Sequence, residues 1–288
     1  MAEPRVTAII VARNGEAYLR DAIDSIICQS FTDWELIVVD DGSTDETGTI
    51  VREYEQALPN KVQLFAHSGN RNYGISASRN LALANARGEY IGFLDADDIW
   101  LPEKLAEQIA IMDADPSLGI VYGRTLIWHS WAETQASDDF YYPLGVEPDN
   151  RYEPPILFEV LLDGKSQTPT TCNALIRATI FSSVGGFETR FRQMFEDQTF
   201  FAKALAFAPV YVSARTWAKY RQHSESCSAQ SARDGADEAA RVAFLRWLNA
   251  SMSNGKPSLR VRLVIWRALA KASYAAAKRA MRPLEATR

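Results

Sequence analysis

Three carboxylates follow an apolar segment in the middle of the sequence. Tyr90–Leu94 is apolar and leads directly into Asp95, Asp97 and Asp98. Because side chains alternate along an extended backbone, Asp95 and Asp97 can face the same side. Two carboxylates this close repel each other unless a cation or hydrogen-bond donors hold them. Mg²⁺ and Mn²⁺ prefer oxygen ligands and often bind together with phosphates, so the spacing indicates a divalent-metal site. The structural alternative is an acidic turn that precedes a helix near Leu101.

Four short apolar segments alternate with helical segments in the first 128 residues. The predicted strands are Val6–Ala12, Leu36–Val39, Val62–Phe65 and Tyr90–Leu94. Helical spacing predicts helices at about Glu16–Gln29, Ser43–Leu58, Ser76–Ala86 and Pro102–Met112. Ser43–Glu46 has the form of a capping box. Buried, non-alternating strands between helices are typical of an α/β fold, here a Rossmann-like, mostly parallel sheet with helices on both faces.

Polar residues follow these strands at one edge of the predicted sheet. Ligands of open α/β sheets bind outside the carboxyl ends of the strands, where Asp40 and Asp95 fall. Neither a G-x-G-x-x-G fingerprint nor a P-loop is present. The sequence therefore disfavours the dinucleotide-binding and P-loop versions of this architecture.

The pattern changes after Trp128. Residues 129–170 lack clear periodicity, which predicts long loops over the cleft. Their aromatic residues, with Trp128 before them, could stack on a sugar or pack within the loops: Trp131, Tyr141 and Tyr142. Further strands are predicted at Cys172–Ile176, Val210–Val212 and Trp217–Arg221, and helices at Ile180–Val184 and Glu196–Ala206. Two Ala-rich helices, at 234–252 and 258–281, form a C-terminal helical extension.

Charge and cysteine content exclude several classes of protein. The 288 residues carry a formal net charge of −5, which argues against a general nucleic-acid partner. Residues 256–288 carry +8, so the remainder carries −13. Cys28, Cys172 and Cys227 are widely spaced and predict neither a disulfide framework nor a metal cluster. Without a signal peptide or a membrane-spanning run, we expect a cytoplasmic protein.

Six motifs occur in a recognisable order. They are VARNGEAYL, VVDDGSTD, NYGISASRN, FLDADD, FEDQTF and YRQHSES. Together, from about Val6 to Ser226, they resemble the inverting family-two glycosyltransferases of the GT-A fold. The resemblance implies a nucleotide-sugar donor, a divalent cofactor (Mn²⁺ or Mg²⁺) and transfer with inversion at the anomeric carbon. We also expect three regions: a nucleotide-sugar-binding half at 1–128, an acceptor-binding half with the catalytic base at 129–230, and the basic helical extension at 231–288.

The resemblance assigns roles to individual residues. Donor binding falls to Ala12, Asn14, Asp40, Arg71, Asp95 and Asp97, and the metal to Asp97, Asp95 and His223. Asp40 can accept a hydrogen bond from the uracil N3–H. Arg71 can donate to a uracil carbonyl or neutralise phosphate. Turn-forming and solvent-exposed roles are the alternatives for these two residues, and Asp41, Arg79 and Asn80 are interpreted as structural.

An inverting displacement also needs a carboxylate that takes the proton of the acceptor hydroxyl. Glu196 and Asp197 match the acidic pair of the family at the start of a helix. Adjacent helical residues point about 100° apart, so only one can face the acceptor. By resemblance that residue is Asp197, with Glu196 contacting the acceptor or a loop. The alternative is a pair of carboxylates that stabilise a helix N-terminus.

The leading hypothesis is therefore a metal-dependent inverting glycosyltransferase. It would move a sugar from a nucleotide-sugar, with a UDP-sugar as the expected donor, to a saccharide or lipid-linked acceptor in polysaccharide, lipopolysaccharide or other glycoconjugate synthesis. One alternative is a sugar-phosphate nucleotidyltransferase. Such enzymes open with a Gly-rich phosphate loop, of which Ala12–Gly15 is a poor version. The other alternative is a non-catalytic nucleotide-sugar-binding protein.

The last predicted helix has two distinct stripes. Basic residues recur at spacings of seven and four: Arg260, Arg267, Lys271, Lys278 and Arg282. Apolar residues recur at three and four: Leu263, Trp266, Ala270, Tyr274, Ala277 and Met281. A basic amphipathic helix can lie in the surface of an anionic membrane, so residues 258–282 could give peripheral contact with its inner face. Packing against the acidic catalytic domain is the alternative.

Overall fold

A mixed sheet of nine strands organises the part of the chain that the structure describes. The computed structural model describes residues 3–132, 137–192, 194–223, 237–253 and 257–280. The strands are β1 Val6–Ala12, β2 Trp34–Asp40, β3 Val62–Ala66, β4 Tyr90–Asp95, β5 Ile99–Trp100, β6 Ile120–Trp128, β7 Asn150–Tyr152, β8 Ala174–Arg177 and β9 Val210–Arg221. The helices are α1 Leu19–Ile27, α2 Thr47–Ala57, α3 Ile75–Asn85, α4 Lys104–Ala114, α5 Ile156–Asp163, α6 Ala178–Val184, α7 Glu196–Leu205, α8 Asp237–Ser253 and α9 Leu259–Ala280.

The strand order is β3-β2-β1-β4-β8-β6-β9-β5, and β7 pairs with β9 outside this path. The first four strands are parallel. β8 is antiparallel to both of its neighbours, and β6 and β9 are parallel to each other. The predicted α/β class with a mostly parallel sheet is confirmed. The direction in which successive strands are added changes at β1, because β2 and β3 lie on one side of it and β4 lies on the other.

Two hydrophobic cores cover the two faces of the sheet. Ile9 and Phe93 belong to the core that α3, α5, α7, α8 and α9 complete. Ile10 and Leu94, one position further along each strand, belong to the core that α1, α2 and α4 complete. Because alternate residues of a strand point to opposite faces, both faces of β1 and β4 are buried. This double burial explains why these strands are continuously apolar in the sequence.

Several boundaries differ from the sequence prediction. Residues 129–170 contain β7 and α5, where long loops were expected. Val210–Val212 and Trp217–Arg221 are one strand, β9, because its pairing with β6 continues through a register shift. The region predicted to cap α2 also behaves differently, since the Ser43 hydroxyl accepts a hydrogen bond from the Asn14 N–H and α2 begins only at Thr47.

The C-terminal helices form the predicted extension. Val261, Ile265 and Ala272 are the buried side of α9 and join the core that α5 and α8 share. Within the described ranges, no helix is long and apolar enough to cross a membrane. Met281, Arg282 and Cys227 lie outside the described residues. Cys28 and Cys172 are free cysteines.

Lys104, on α4, is a fully buried lysine. Its Nζ donates to Gln108 Oε1 at 2.5 Å and to the Ala174 carbonyl at 3.3 Å. It also lies 4.4 Å from the centroid of the Trp100 ring. No carboxylate among the described residues pairs with it, and burial lowers its pKa to about 7. The folded protein therefore releases this proton more easily than the unfolded chain does.

We expect this lysine to make stability rise with pH. Between about pH 7 and the unfolded pKa of about 10.4, the unfolded chain holds a proton that the folded chain has lost, so the unfolding free energy increases. The wild type should gain about 2 kcal/mol more than Lys104→Met between pH 7 and pH 9 in urea unfolding. Lys61→Met is the matched control, because the partly exposed Lys61 also lies over a tryptophan ring. If the unfolding free energy of the wild type rose no more than that of Lys104→Met over this pH range, the low pKa of Lys104 would be contradicted.

Candidate functional site

The carboxyl ends of β2, β1 and β4 bring the predicted donor-binding residues to one edge of the sheet. Ala12 at the end of β1 is in register with Asp40 on β2. Val11 is in register with Asp95 on β4. Adjacent strands lie about 4.8 Å apart, so backbones two strands apart are separated by about 10 Å. Asp40 and Asp95 therefore flank β1 at the switch point of the sheet, where ligands of this architecture bind.

The loop after β1 and the turn after β2 hold each other in place. The Asn14 N–H donates to Ser43 Oγ at 3.0 Å, and Asn14 Oδ1 accepts from the Thr44 N–H at 2.9 Å. Asp40 is buried, and its Oδ1 accepts from the Ser43 N–H at 2.8 Å. The Asp41 N–H donates to the Ala12 carbonyl at 2.9 Å. Ala12, Asn14 and Asp40 thus form one rigid wall of the site.

The loop that carries Arg71 packs directly on this wall. Gly42 has a φ of +80°, and a Cβ there would lie 2.8 Å from the Asn72 nitrogen. The Asp41 carboxylate accepts from the Tyr73 N–H at 2.8 Å and from the Gly74 N–H at 3.0 Å. Asp41 therefore fixes the loop, as its predicted structural role requires. The Arg71 side chain itself is exposed beside the wall.

Each carboxylate of the turn after β4 has a different partner. Asp95 accepts from Arg79 Nη2 at 3.0 Å and from Thr171 Oγ1 at 3.1 Å. Asp97 Oδ2 lies 2.8 Å from His223 Nε2. Burial raises the pKa of Asp97, and the charge of Asp95 raises it further. A cation beside Asp97 would therefore stabilise the charged form of this carboxylate.

Asp98 is the innermost of the three carboxylates. It is fully buried, and its Oδ1 accepts from the Arg221 N–H at 2.9 Å. Burial raises its pKa well above the ordinary value, and the neighbouring charges of Asp97 and Asp95 add to the effect. Its position behind the turn makes it a support for Asp97 and removes it from the surface that a ligand could reach.

Asp97 and His223 fit a divalent cation as a partial ligand set. Within the described ranges, no three His, Cys, Asp or Glu side chains are arranged around one point. Asp95 is instead bonded to Arg79 and Thr171. Mg²⁺ commonly takes only one or two protein carboxylates and completes its shell with phosphates and water. Asp97 Oδ2 and His223 Nε2 lie 2.8 Å apart, and burial raises the pKa of this carboxylate, so a cation beside it would stabilise its charged form.

The predicted base lies at the start of α7. Asp197 is in the first turn of α7, and its Oδ1 accepts from the Gln198 N–H at 2.7 Å. Burial raises the pKa of Asp197, and the charge of Arg79 acts against that rise. Burial also raises the pKa of Glu196. A buried carboxylate with a raised pKa is a better proton acceptor than an exposed one.

The site contains a cavity of about 470 Å³. Asp95 and Asp197 both line it, whereas Glu196 does not. The other lining residues are hydroxyl, amide, thiol, aromatic, aliphatic and lysine side chains, with one glycine: Thr125, Ile127, Tyr142, Gly164, Lys165, Ser166, Gln167, Thr168, Thr170, Thr171, Cys172 and Tyr220. Many of these side chains can form hydrogen bonds with the hydroxyls of a sugar.

Residues 7–185 match the model of the family described as glycosyl transferase family 2. The match covers more than half of the chain and includes both the Asp40 turn and the Asp95 turn. The chain belongs to this family. The family resemblance predicted from the six motifs is therefore confirmed.

Relatives and solved structures agree with this membership. An uncharacterized glycosyltransferase of Rickettsia typhi is 33% identical over 222 residues, which are 76% of this chain and 64% of that protein. The Staphylococcus aureus TarS fragment 1–349, solved in complex with UDP-GlcNAc, has a TM-score of 0.72 at 21% identity and covers 93% of this chain and 71% of that one. The mannosyltransferase PcManGT of Pyrobaculum calidifontis, solved with GDP-Man and Mn²⁺, has a TM-score of 0.59 at 20% identity and covers 99% and 77%.

These structures confirm the predicted GT-A fold for this family-two chain. The chain spans slightly less than two thirds of the Rickettsia relative, so that relative has a further segment outside the match. The identities to the solved structures are low, and the likeness is one of fold.

Sequence reasoning missed two arginines of the site. Arg221 is buried, donates through Nε to the Asp97 carbonyl at 2.7 Å, and pairs with Asp21 at 2.8 Å. Its guanidinium is surrounded by the rings of Tyr18, Trp128 and Trp131. Trp128 and Trp131 therefore pack on an arginine. The sequence was compatible with either sugar stacking or loop packing for these two residues.

Arg79 was interpreted as structural, yet it pairs with Asp95 and affects the pKa of Asp197. Asn80 has the expected structural role, because its side chain bonds both backbone groups of Phe187. Arg79 follows a serine-rich helix start that gave no sign of a buried arginine. The only sequence feature that indicated a role for Arg79 in the site was its place within the NYGISASRN motif, and its residue type gave no such indication.

We expect Gly42 to be essential to the wall. Gly42→Ala should lower the unfolding free energy by about 3 kcal/mol, because alanine would combine a strained φ with a collision against the Asn72 backbone. Gly69→Ala is the matched control: its φ is +71°, but its Cβ would lie 3.7 Å from the nearest atom. That change should cost about 1 kcal/mol. Equal losses in chemical denaturation would show that the contact between the turn and the loop contributes nothing.

Proposed function

We propose that this chain is a metal-dependent inverting glycosyltransferase that transfers a sugar from a UDP-sugar to a hydroxyl acceptor. One observation carries the proposal: Asp95, at the donor edge of the sheet, and Asp197, at the start of α7, line the same cavity. A nucleotide-sugar bound along the edge of the sheet would place its sugar in that cavity. The carboxylate across it would then face the acceptor.

The donor would lie along the wall formed by the first two strand ends. Asp40 would accept a hydrogen bond from the uracil N3–H, and Arg71 would donate to a uracil carbonyl or to phosphate. Ala12 and Asn14 would contact the nucleotide through the loop that Ser43 and Thr44 hold. Asp95 would reach the ribose. TarS, which shares the fold, has been solved with UDP-GlcNAc, and this supports a uridine nucleotide.

Asp97 and His223 would hold the Mn²⁺ or Mg²⁺ ion, and Asp95 would lie near it. When bound, such an ion neutralises charge on the departing diphosphate. Arg221 would keep the turn in position through the Asp97 carbonyl and the Asp98 carboxylate. Because Arg221 contacts the backbone of the turn, we assign it a positioning role.

Asp197 would take the proton of the acceptor hydroxyl. The acceptor oxygen forms a bond to the anomeric carbon from the face opposite the diphosphate. The bond between that carbon and the diphosphate oxygen breaks, and UDP leaves with the electron pair. Glu196 does not line the cavity and would contact the acceptor or a neighbouring loop.

The proposal also assigns a role to each region of the chain, a class of acceptor and a cellular location. Residues 1–128 would bind the nucleotide-sugar, residues 129–230 would bind the acceptor, and residues 231–288 would form a basic extension. The acceptor would be a saccharide or a lipid-linked saccharide, used in the synthesis of a polysaccharide or another glycoconjugate. A cytoplasmic location, where nucleotide-sugars are available, is part of the proposal.

Product analysis distinguishes this function from the alternatives. The protein is incubated with UDP-sugars and Mn²⁺, and nucleotide products are followed over time. Release of UDP with an acceptor supports the proposal. Formation of a nucleotide-sugar from a sugar phosphate and UTP, with release of pyrophosphate, would instead indicate a nucleotidyltransferase. Binding of a UDP-sugar without turnover across a broad panel of acceptors would favour a binding protein.

Asp97→Ala should abolish transfer and most of the Mn²⁺-dependent part of UDP binding in calorimetry. The physical reason is the loss of the carboxylate that would link the ion to the turn. Asp98 is unsuitable as a comparison because it is buried. Asp21→Ala is the matched control, since Asp21 pairs with Arg221 at an exposed position. Full activity of Asp97→Ala, or full activity of the wild type in excess chelator, would overturn the metal assignment.

Asp197→Asn should lower kcat about 100-fold or more while UDP binding stays nearly unchanged, because an amide keeps the shape but accepts no proton. Glu196→Gln is the matched control and should retain most activity. In the wild type, the raised pKa of Asp197 should make kcat/KM fall on acidification at a pH above the ordinary aspartate value of 3.8. A larger loss in Glu196→Gln than in Asp197→Asn would reassign the base.

A further inference from the structure

The outward side of α9 carries large apolar side chains. Leu259, Leu263, Trp266 and Tyr274 are 73%, 45%, 67% and 73% exposed. They are separated by four, three and eight residues, and these intervals return to one side of a helix with 3.6 residues per turn. Ala270 and Ala277, also exposed, continue the same side. We call Leu259, Leu263, Trp266 and Tyr274 the apolar stripe of α9.

The apolar stripe is not the side through which α9 packs on the protein. Val261, Ile265 and Ala272 are buried against α5 and α8 on the opposite side of the helix. The helix therefore presents apolar groups on two sides, and tertiary packing uses only one. The stripe extends about 22 Å along the surface, given a rise of about 1.5 Å per residue. Contiguous exposed apolar surface of this kind marks an interaction site.

Cations border the apolar stripe on both sides. Arg262 lies on one side of it, and Arg267, Lys271 and Lys278 lie on the other, as the 100° helical step requires. α9 contains six Lys or Arg residues and no acid in a chain whose net charge is −5. Lys271 pairs with Asp163, and Arg260 pairs with Glu159. Arg262, Arg267 and Lys278 have no carboxylate partner in the part of the chain that is described.

We propose that the apolar stripe of α9 and its flanking cations bind the surface of an anionic membrane. Leucine, tryptophan and tyrosine side chains suit the boundary between headgroups and acyl chains. The long stems of Arg and Lys can lie along that boundary while their charges reach lipid phosphates. The helix would lie in the plane of the membrane with Val261 and Ile265 still packed on α5 and α8.

Charge favours a membrane over a second copy of this chain. A two-fold pairing of α9 helices through their stripes would bring the two cationic borders together, and like charges at such a contact are destabilising. An anionic lipid surface has the opposite sign and satisfies both borders at once. It also accepts a long, shallow apolar stripe without requiring a matching groove.

This surface lies close to the proposed acceptor cavity in the fold. α9 packs on α5, and α5 leads directly into Gly164 and the segment after it, which line the cavity. A membrane bound at the stripe would thus be one helix away from the cavity wall. The binding proposal is independent of the transferase function, because vesicle binding needs neither donor nor acceptor.

Vesicle flotation of the full chain tests the proposal. The protein is mixed with phosphatidylcholine vesicles that contain or lack phosphatidylglycerol, at low and at high salt. We expect flotation only with the anionic vesicles and loss of it at high salt. Trp266→Ser combined with Leu263→Ser should weaken binding about tenfold or more, and Arg267→Glu combined with Lys278→Glu should do the same. All four residues are exposed, so the fold should tolerate these changes.

Phe207→Ser is the matched control, because Phe207 is 47% exposed on the turn after α7 and lies outside the stripe. It should bind vesicles like the wild type. A blue shift of tryptophan fluorescence with anionic vesicles that disappears in Trp266→Phe would place Trp266 in the lipid. Failure of the wild type to float, or an equal loss in Phe207→Ser, would overturn the proposal. Self-association in sedimentation that the stripe variants abolish without lipid would assign the stripe to a second copy.

Discussion

The site depends on how this protein keeps several carboxylates close together in a largely buried place. An unpaired buried charge is costly, and removal of one member of a buried ion pair leaves the other uncompensated. Arg79 pairs with Asp95, and Arg221 holds the Asp97 carbonyl and the Asp98 carboxylate. Asp97 keeps His223 as its neighbour, and burial raises the pKa of this carboxylate. Arg79, Arg221 and Thr171 therefore restrain the turn through both its side chains and its backbone.

The mixed half of the sheet supplies most of this restraint. β9 runs parallel to β6 and antiparallel to β5, which directly follows the acidic turn. Because of this pairing, Arg221 at the end of β9 contacts the acidic turn at Asp97, which lies 124 residues earlier in the chain. The segment before β8 supplies Thr171, which bonds Asp95 and lines the cavity. The parallel half thus presents the edge that carries Asp40 and Asp95, and the mixed half supplies further residues of the cavity.

The packing of the C-terminal helices sets a second constraint. α8 and α9 complete one of the two cores, so they are part of the folded unit and cannot be treated as a loose appendage. The surface they leave outward combines apolar and cationic groups next to the helix that leads into the cavity wall. The same packing therefore completes a core and leaves the apolar stripe of α9 exposed one helix away from the cavity wall.

The sequence by itself determined the parallel half of the fold and the position of Asp40 and Asp95 at its edge. Buried strands bounded by turns and followed by Asp40 or Asp95 are local patterns, and β1, β2 and β4 agree with the predicted segments within one or two residues. Strand order, the antiparallel insertion of β8 and the continuity of β9 depend on pairing between distant segments. Short apolar runs contain no such information, and the polar β7 was missed because only its pairing with β9 defines it.

Only the tertiary structure decided how the site and the last helix are used. It showed that Asp197 lines the cavity with Asp95 while Glu196 does not, because the left-handed Phe195 and the packing of α7 set the rotation of that helix. It tied Asp95 to Arg79 and Thr171, where a ligand role had been predicted. On α9, the sequence placed Leu263, Trp266 and Tyr274 on one apolar side of the helix but did not show whether that side faces the core or the solvent. The shape of α5 and α8 accepts the smaller side chains of the opposite side, so the larger ones face outward.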